Sequence, residues 1–325
     1  MHARTSVYKS CCKVLGAFTA CLAAASAQPY GYVANTMGNN VVVVNRANNT
    51  IAATISLSAG GVSGLAITPN GSYVYVAESS KNCVAVISTA SNTVTATVPV
   101  GTSPVQIAIT PNGSAAYVTN QNSNNVSVIN TANNTVEATV PVGTKPVGVA
   151  VSRDGTYVVV TNLSSSNMSV ISTSTNKVTA TWTTLSGPNG LVMSPTKEVM
   201  YVTNQYADAV TEYSLPGGTL LSTISGVTVF SGPTSAAVTP NGNQLYITNS
   251  NGAFVSAINT SSMVVEAKIP VGSLPTSVAV SSDGTTAYVT NAYGYSLSEI
   301  NTTTNAVEYT FSRVGIYPYS VAVYH

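Results

Sequence analysis

The chain has 325 residues, of which only 6% are charged and 44% hydrophobic, with a formal net charge of +1. So little charge excludes the basic footprint of a strong nucleic-acid binder. The abundance of regularly placed Val, Ile, Ala and Tyr excludes a disordered chain, so the solvent-facing polarity has to come from Asn, Ser and Thr.

The first 27 residues read as a unit of their own. Arg4, Lys9 and Lys13 precede an apolar stretch over 14–25, and Ala25-Ser26-Ala27 is a small-residue cleavage signal. This pattern predicts a secretory leader removed before Gln28, and the apolar run is too short for an ordinary membrane span. Phe18-Thr19-Ala20-Cys21 is similar to a lipobox and offers an alternative, lipid-anchored outcome. Export is expected either way, to the periplasm, the medium or the cell surface. The mature chain keeps eight basic and ten acidic residues, a net charge of −2, and one of the four cysteines, Cys83. One thiol cannot form an internal disulfide. Within Asn82-Cys83-Val84-Ala85-Val86-Ile87 it reads as a buried small apolar residue on a strand.

From residue 28 onward the sequence is one repeat. Tyr-Val-Thr-Asn, or a close variant, begins at residues 32, 75, 117, 159, 201, 246 and 288, with spacings of 43, 42, 42, 42, 45 and 42. The clearest unit, 104–143, reads as four short strands over 104–110, 115–120, 125–130 and 135–140. Asn112-Gly113 marks the first hairpin, where a positive φ is needed. Pro141 and Gly143 help end the fourth strand. Seven such units with no helical period predict an all-β, seven-bladed propeller in a single domain, 28–325. The first unit lacks its own first strand, while the chain ends with Pro318-Tyr319-Ser320-Val321-Ala322-Val323, a first strand with no blade to follow. Pairing the two completes blade one and closes the ring. Blade five departs most: Ser194-Pro195-Thr196-Lys197 and Leu215-Pro216-Gly217-Gly218 replace the usual turns, and the link over 227–233 is longer.

The seven Tyr-Val-Thr-Asn repeats, covering essentially all of 29–325, resemble the YVTN family of β-propeller proteins, which includes surface-layer proteins and YncE-like periplasmic propellers. The resemblance implies the fold and an exported setting. It implies no activity, because the motif positions are framework and one scaffold hosts many functions.

Chemistry-bearing groups are sparse. The mature chain has one histidine, His325, and one cysteine, which excludes a Ser-His-Asp triad and a Cys- or His-rich metal centre. Neither a cofactor nor a metal is expected. Glu137, Glu266 and Glu308 fall at one repeat position on the outer strand and should lie on separate blades. Asp154-Gly155 and Asp283-Gly284 read as turn formers. Variability gathers in the loops joining strands two and three and in the blade-to-blade links, which should share one face of the disc. The binding candidates are Glu78, Lys81, Gln121, Tyr206, Asp208, Tyr293 and Tyr295 in the first class and Lys145, Arg313 and Tyr317 in the second. Exposed Tyr offers contact area at little entropic cost. The expectation is therefore a monomeric, non-catalytic binding or cell-surface module for a protein or glycan, with no catalytic residues. The alternative is a hydrolase resembling the seven-bladed lactonases.

Overall fold

The computed structural model describes residues 30–58 and 60–323. The leader, the Cys21 lipobox and His325 lie outside the described residues.

Twenty-eight strands form seven four-stranded antiparallel sheets. In six of them the strands follow chain order. The seventh joins Pro318–Val323 to Tyr30–Asn35, Asn40–Asn45 and Thr50–Ser56. Its register pairs Tyr32 with Ala322 and Val33 with Val321, so the closing strand completes blade one as expected. Adjacent innermost strands touch all the way round the ring, including Pro318–Val323 against Val62–Ile67.

The core is not central but divided among seven apolar clusters, one for each blade-to-blade interface. Tyr32 and Ala34 pack toward blade two with Leu65, Val74 and Val76, while Val33 packs the opposite way, toward Tyr288, Leu297 and Phe311 of blade seven. Successive strand residues point to opposite faces of a sheet, and in a propeller both faces of a blade are covered. That is why the second strands are buried on both faces and not alternating. The outer strand is the exposed edge of each blade. It carries a register shift in all seven sheets, such as that between Val128 and Ile129 opposite the strand Thr135–Pro141. In several blades it also ends in proline, and both devices discourage edge-to-edge pairing.

The repeat motif has a structural task at each position. Tyr75 Oη donates to Asn134 Oδ1 in the next blade at 2.6 Å, and Tyr117 and Tyr246 do the same to Asn176 and Asn305 at 2.9 and 2.7 Å. Burial pushes the Tyr75 and Tyr117 phenols up to about 12, so they remain donors. The motif threonine accepts from an N–H that a bulge frees in its own inner strand, as Thr161 Oγ1 does from Gly148 at 2.8 Å. It also donates to the next inner strand, as Thr119 does to the Val147 carbonyl at 2.7 Å. The motif asparagine ties strand two to strand three: Asn120 Nδ2 donates to Asn125 Oδ1 at 2.8 Å and to Ser127 Oγ at 2.9 Å.

At the first hairpins the positive φ falls on glycine alone. Gly113 has φ 73°, while Asn112 uses its side chain to accept from the Ser114 N–H at 3.0 Å. Asp154 and Asp283 make the same turn, and the hydrogen bonds they accept from Ser152 and Thr156, and from Ser281 and Thr285, hold their carboxyls below the usual range.

Candidate functional site

Strands one and three run away from one face of the disc, and strands two and four return to it. The loops between strands two and three therefore meet the blade-to-blade links on that face, where the Ser79 N–H donates to the Gly61 carbonyl and the Gln121 N–H to the Ser103 carbonyl, both at 2.9 Å. All ten sequence candidates lie at this face, but they are spread around it. Glu78 and Lys81 are on blade two, Gln121 on blade three, Tyr206 and Asp208 on blade five, Tyr293 and Tyr295 on blade seven. Lys145 and Arg313 sit in links, as does Tyr317.

The structure brings one pair of them together: the Tyr293 and Tyr317 rings meet edge to face with centroids 5.5 Å apart. Tyr206 and Tyr295 are well exposed elsewhere on the rim. Lys81 Nζ donates to Ser58 Oγ at 2.6 Å, and Asp208 Oδ1 accepts from the Gly232 N–H at 2.7 Å, which gives Asp208 a framework role. Lys145, Tyr295, Arg313 and Tyr317 adopt positive φ.

Glu78 is a correction. It is not a loop residue but the end of a second strand, only 2% exposed, where the other blades carry the motif asparagine. Its neighbours change with it: Cys83 and Ala85 stand where blade three has Asn125 and Ser127. The Cys83 thiol donates to Glu78 Oε1 at 3.8 Å. Burial raises both groups, Cys83 to about 11. The thiol is buried and protonated, in keeping with a structural cysteine.

The concave site is the mouth of the central channel. Each inner strand enters from the loop face, and a cavity of about 230 Å³ is lined by the second to fourth residues of five of them with Leu65 and Gln106 from blades two and three. The upper layers are polar: Gln106, Asn189, Thr234, Ser235, Thr276, Ser277, Tyr319 and Ser320. Beneath them lies an apolar collar that includes Leu65, Leu191, Val278 and Val321. The cavity falls below the ~300–1,000 Å³ usual for drug-sized ligands, so it has room only for a small molecule.

Its walls are held in place. Asn189 Nδ2 donates to Gln205 Oε1 at 2.9 Å, and Ser235 Oγ accepts from the Val278 N–H on the neighbouring strand at 3.3 Å. Gly64 leaves the space that the Gln106 amide occupies. Burial raises the Tyr319 phenol, so it stays protonated as a donor. No group of three or more His, Cys, Asp or Glu able to hold a metal occurs among the described residues. No helix among them is long and apolar enough to cross a membrane.

Sequence reading missed this cup. The available signal was the two positions directly after the leading Pro of the inner strand, where Val147-Gly148 of blade four becomes Asn189-Gly190, Thr234-Ser235, Thr276-Ser277 and Tyr319-Ser320.

Fold and cup define a seven-bladed propeller related to the lactonase-type propellers. The family model "Lactonase, 7-bladed beta-propeller" matches residues 22–139. Hydrazine synthase of Kuenenia stuttgartiensis is similar in structure, with TM-score 0.74 and 20% identity over 82% of this chain and 90% of that one. A protein of unknown function from Desulfotomaculum acetoxidans gives TM-score 0.79 at 16% identity, over 91% of this chain and 99% of its own. A candidate 6-phosphogluconolactonase from Bacteroides uniformis gives 0.76 at 18%, again over 91% and 99%. At such identities the likenesses establish the fold. No curated protein matches the chain.

The lactonase match corrects the expectation of a chain without enzymatic activity. That expectation rested on missing His, Cys and convergent charges. A lactone carbonyl is activated by its strained ring ester, and aimed neutral donors can stabilise the oxyanion formed on it.

Proposed function

We propose that this protein is a YVTN-type propeller that hydrolyses a small lactone at the mouth of its central channel. The observation that carries the reading is the polar cup, set in a chain whose residues 22–139, Leu65 and Gln106 of the cup among them, match the lactonase model. In this reading the ring ester enters from the loop face and rests on the apolar collar. Its carbonyl is polarised by the Gln106 amide and the Tyr319 hydroxyl. Asn189, fixed by Gln205, orients the ring. Water adds to the carbonyl carbon, the ring C–O bond breaks, and the proton passes to the departing alkoxide. Removing one oxyanion donor from such a site costs roughly 100-fold or more in rate where that donor dominates.

The test is a pH-stat assay of purified protein on a panel of γ- and δ-lactones. Turnover above the buffer rate is expected, falling at least about tenfold, or ~1.4 kcal/mol, in Tyr319→Phe. A panel with no turnover above the spontaneous rate overturns the reading.

A further inference from the structure

Resting on that lactonase reading, we propose that the channel mouth selects an uncharged, hydroxylated lactone over a phosphorylated one, and that Tyr293, Tyr317 and Tyr319 form the aromatic path by which it enters.

Three observations carry this. First, every side chain lining the cup is uncharged, although Lys81, Lys145 and Arg313 lie on the same face of the disc. A phosphate dianion taken into such a cup loses its hydration with no cation to compensate, a cost of several kcal/mol per buried charge. Second, in five of the seven blades the backbone donors that could cradle an anion are already engaged. Bulged backbone N–H groups are natural anion sites, but in blades three to seven the motif threonines occupy them, while blades one and two carry Ala34 and Ala77 at that position. The N–H groups of Gln106, Gly148, Gly190, Ser235 and Ser277 donate to Thr119, Thr161, Thr203, Thr248 and Thr290 at 2.8–3.1 Å. What remains facing the cavity is a set of groups from Gln106, Asn189 and Tyr319 that can both donate and accept, together with the Thr234 and Thr276 hydroxyls, which bond Thr248 and Thr290 and keep accepting capacity. That set complements a polyol, whose hydroxyls also do both.

Third, three tyrosines connect the exposed rim to the cup. Tyr293 is 60% exposed, packs edge to face on Tyr317 at 5.5 Å, and Tyr317 stands two residues before the cavity-lining Tyr319. Burial first, and Tyr317 second, raise the Tyr319 phenol. Tyr317 holds a left-handed backbone, φ 60°, which belongs to the repeat, since Ser103, Lys145 and Leu274 before other inner strands adopt it too. Tyrosine rings present an apolar face and a polar tip, a match for the C–H face and hydroxyl edge of a sugar ring.

The experiment is calorimetric titration of the full mature chain with a non-hydrolysable aldonolactam and with its 6-phosphate ester, alongside turnover of the corresponding lactones. The neutral lactam is expected to bind at least tenfold more tightly than its phosphate ester. Asn189→Lys, which places a cation in the cup, should narrow or reverse that preference. Tyr293→Ala, a rim change that leaves the cup walls intact, should weaken the neutral lactam several-fold and serves if the lysine variant does not fold. Equal or tighter binding of the phosphate ester overturns the proposal, as does failure of both lactams to bind. Neutral-selective binding without turnover sinks the lactonase reading and leaves the ligand class standing. Turnover without neutral preference does the reverse.

Discussion

Glu299 shows how one residue can set a solution property of the whole protein. It lies on the third strand of blade seven opposite Tyr288, only 8% exposed. Burial raises its carboxyl to about 7, with Arg46 drawing it down and Glu308 pushing it further up. The Arg46 guanidinium sits over the Tyr288 ring at 5.7 Å, so the cluster bridges blades one and seven. Because the folded state holds this proton more tightly than the unfolded chain, its contribution is present below about 4.5 and lost as pH rises toward 7. The melting temperature should therefore decline across that window. Glu299→Gln should flatten the decline and, at pH 8, raise the melting temperature by roughly 1–2 °C, for about 1 kcal/mol after allowing for the water that still reaches the group. Scanning fluorimetry from pH 4 to 8 checks this, and an unchanged slope in the variant would exclude Glu299 as the source. The neighbouring blades carry Val43 and Ala257 at this position and blade five a second carboxylate, Glu212, and only the folded interface puts Glu299 out of water.

At the scale of elements, the inner strands matter most. Their register breaks after the leading proline or valine, as between Pro146 and Val149 and between Pro188 and Leu191. In blades three to seven the break frees an N–H that the motif threonine accepts. Gly148 sits where a β-carbon would run into the Asn189 carbonyl of the adjoining strand. Gly148→Ala should accordingly destabilise the fold by roughly 1–3 kcal/mol, read as a lower urea midpoint at constant slope. A wild-type midpoint would mean that the inner strands separate more readily than this packing implies. The strands, hairpins and blade boundaries follow from alternation, Asn-Gly turns and terminal prolines, and they were readable in advance to within a residue. The bulges were not, because Val-Gly and Thr-Ser at one repeat position look like ordinary variation until the next strand's backbone is laid against them.

For the molecule as a whole, closure is the organising fact. The seam between blades seven and one is packed like the others, with Val33, Val42 and Val44 against Leu297, Phe311 and Val314 and with Val321 and Val323 from the closing strand. Removing residues 318–325 strips that seam of its inner strand and one wall of the cup. The truncated protein should lose its single cooperative unfolding transition and expand in small-angle scattering. A circular permutant that joins the native ends and opens the exposed turn at 132–133 should keep the transition, because every strand pairing survives. A truncated chain that melted like the full one would show that the latch is dispensable.

Sequence alone determined the blade number, the four-strand unit, the latch and the face on which variable loops gather, because each follows from local alternation and turn chemistry repeated at near-constant spacing. It also placed Cys83 inside and Glu137, Glu266 and Glu308 on separate outer strands, where they accept from Asn130, Asn259 and Asn301 of their own blades. The tertiary structure alone decided that Glu78 is buried and that Tyr293 meets Tyr317. It alone assembled the polar cup, whose lining residues stand roughly one repeat apart in the chain. Residues so far apart become neighbours only when the ring closes, so nothing in the local pattern of any single blade could announce the site.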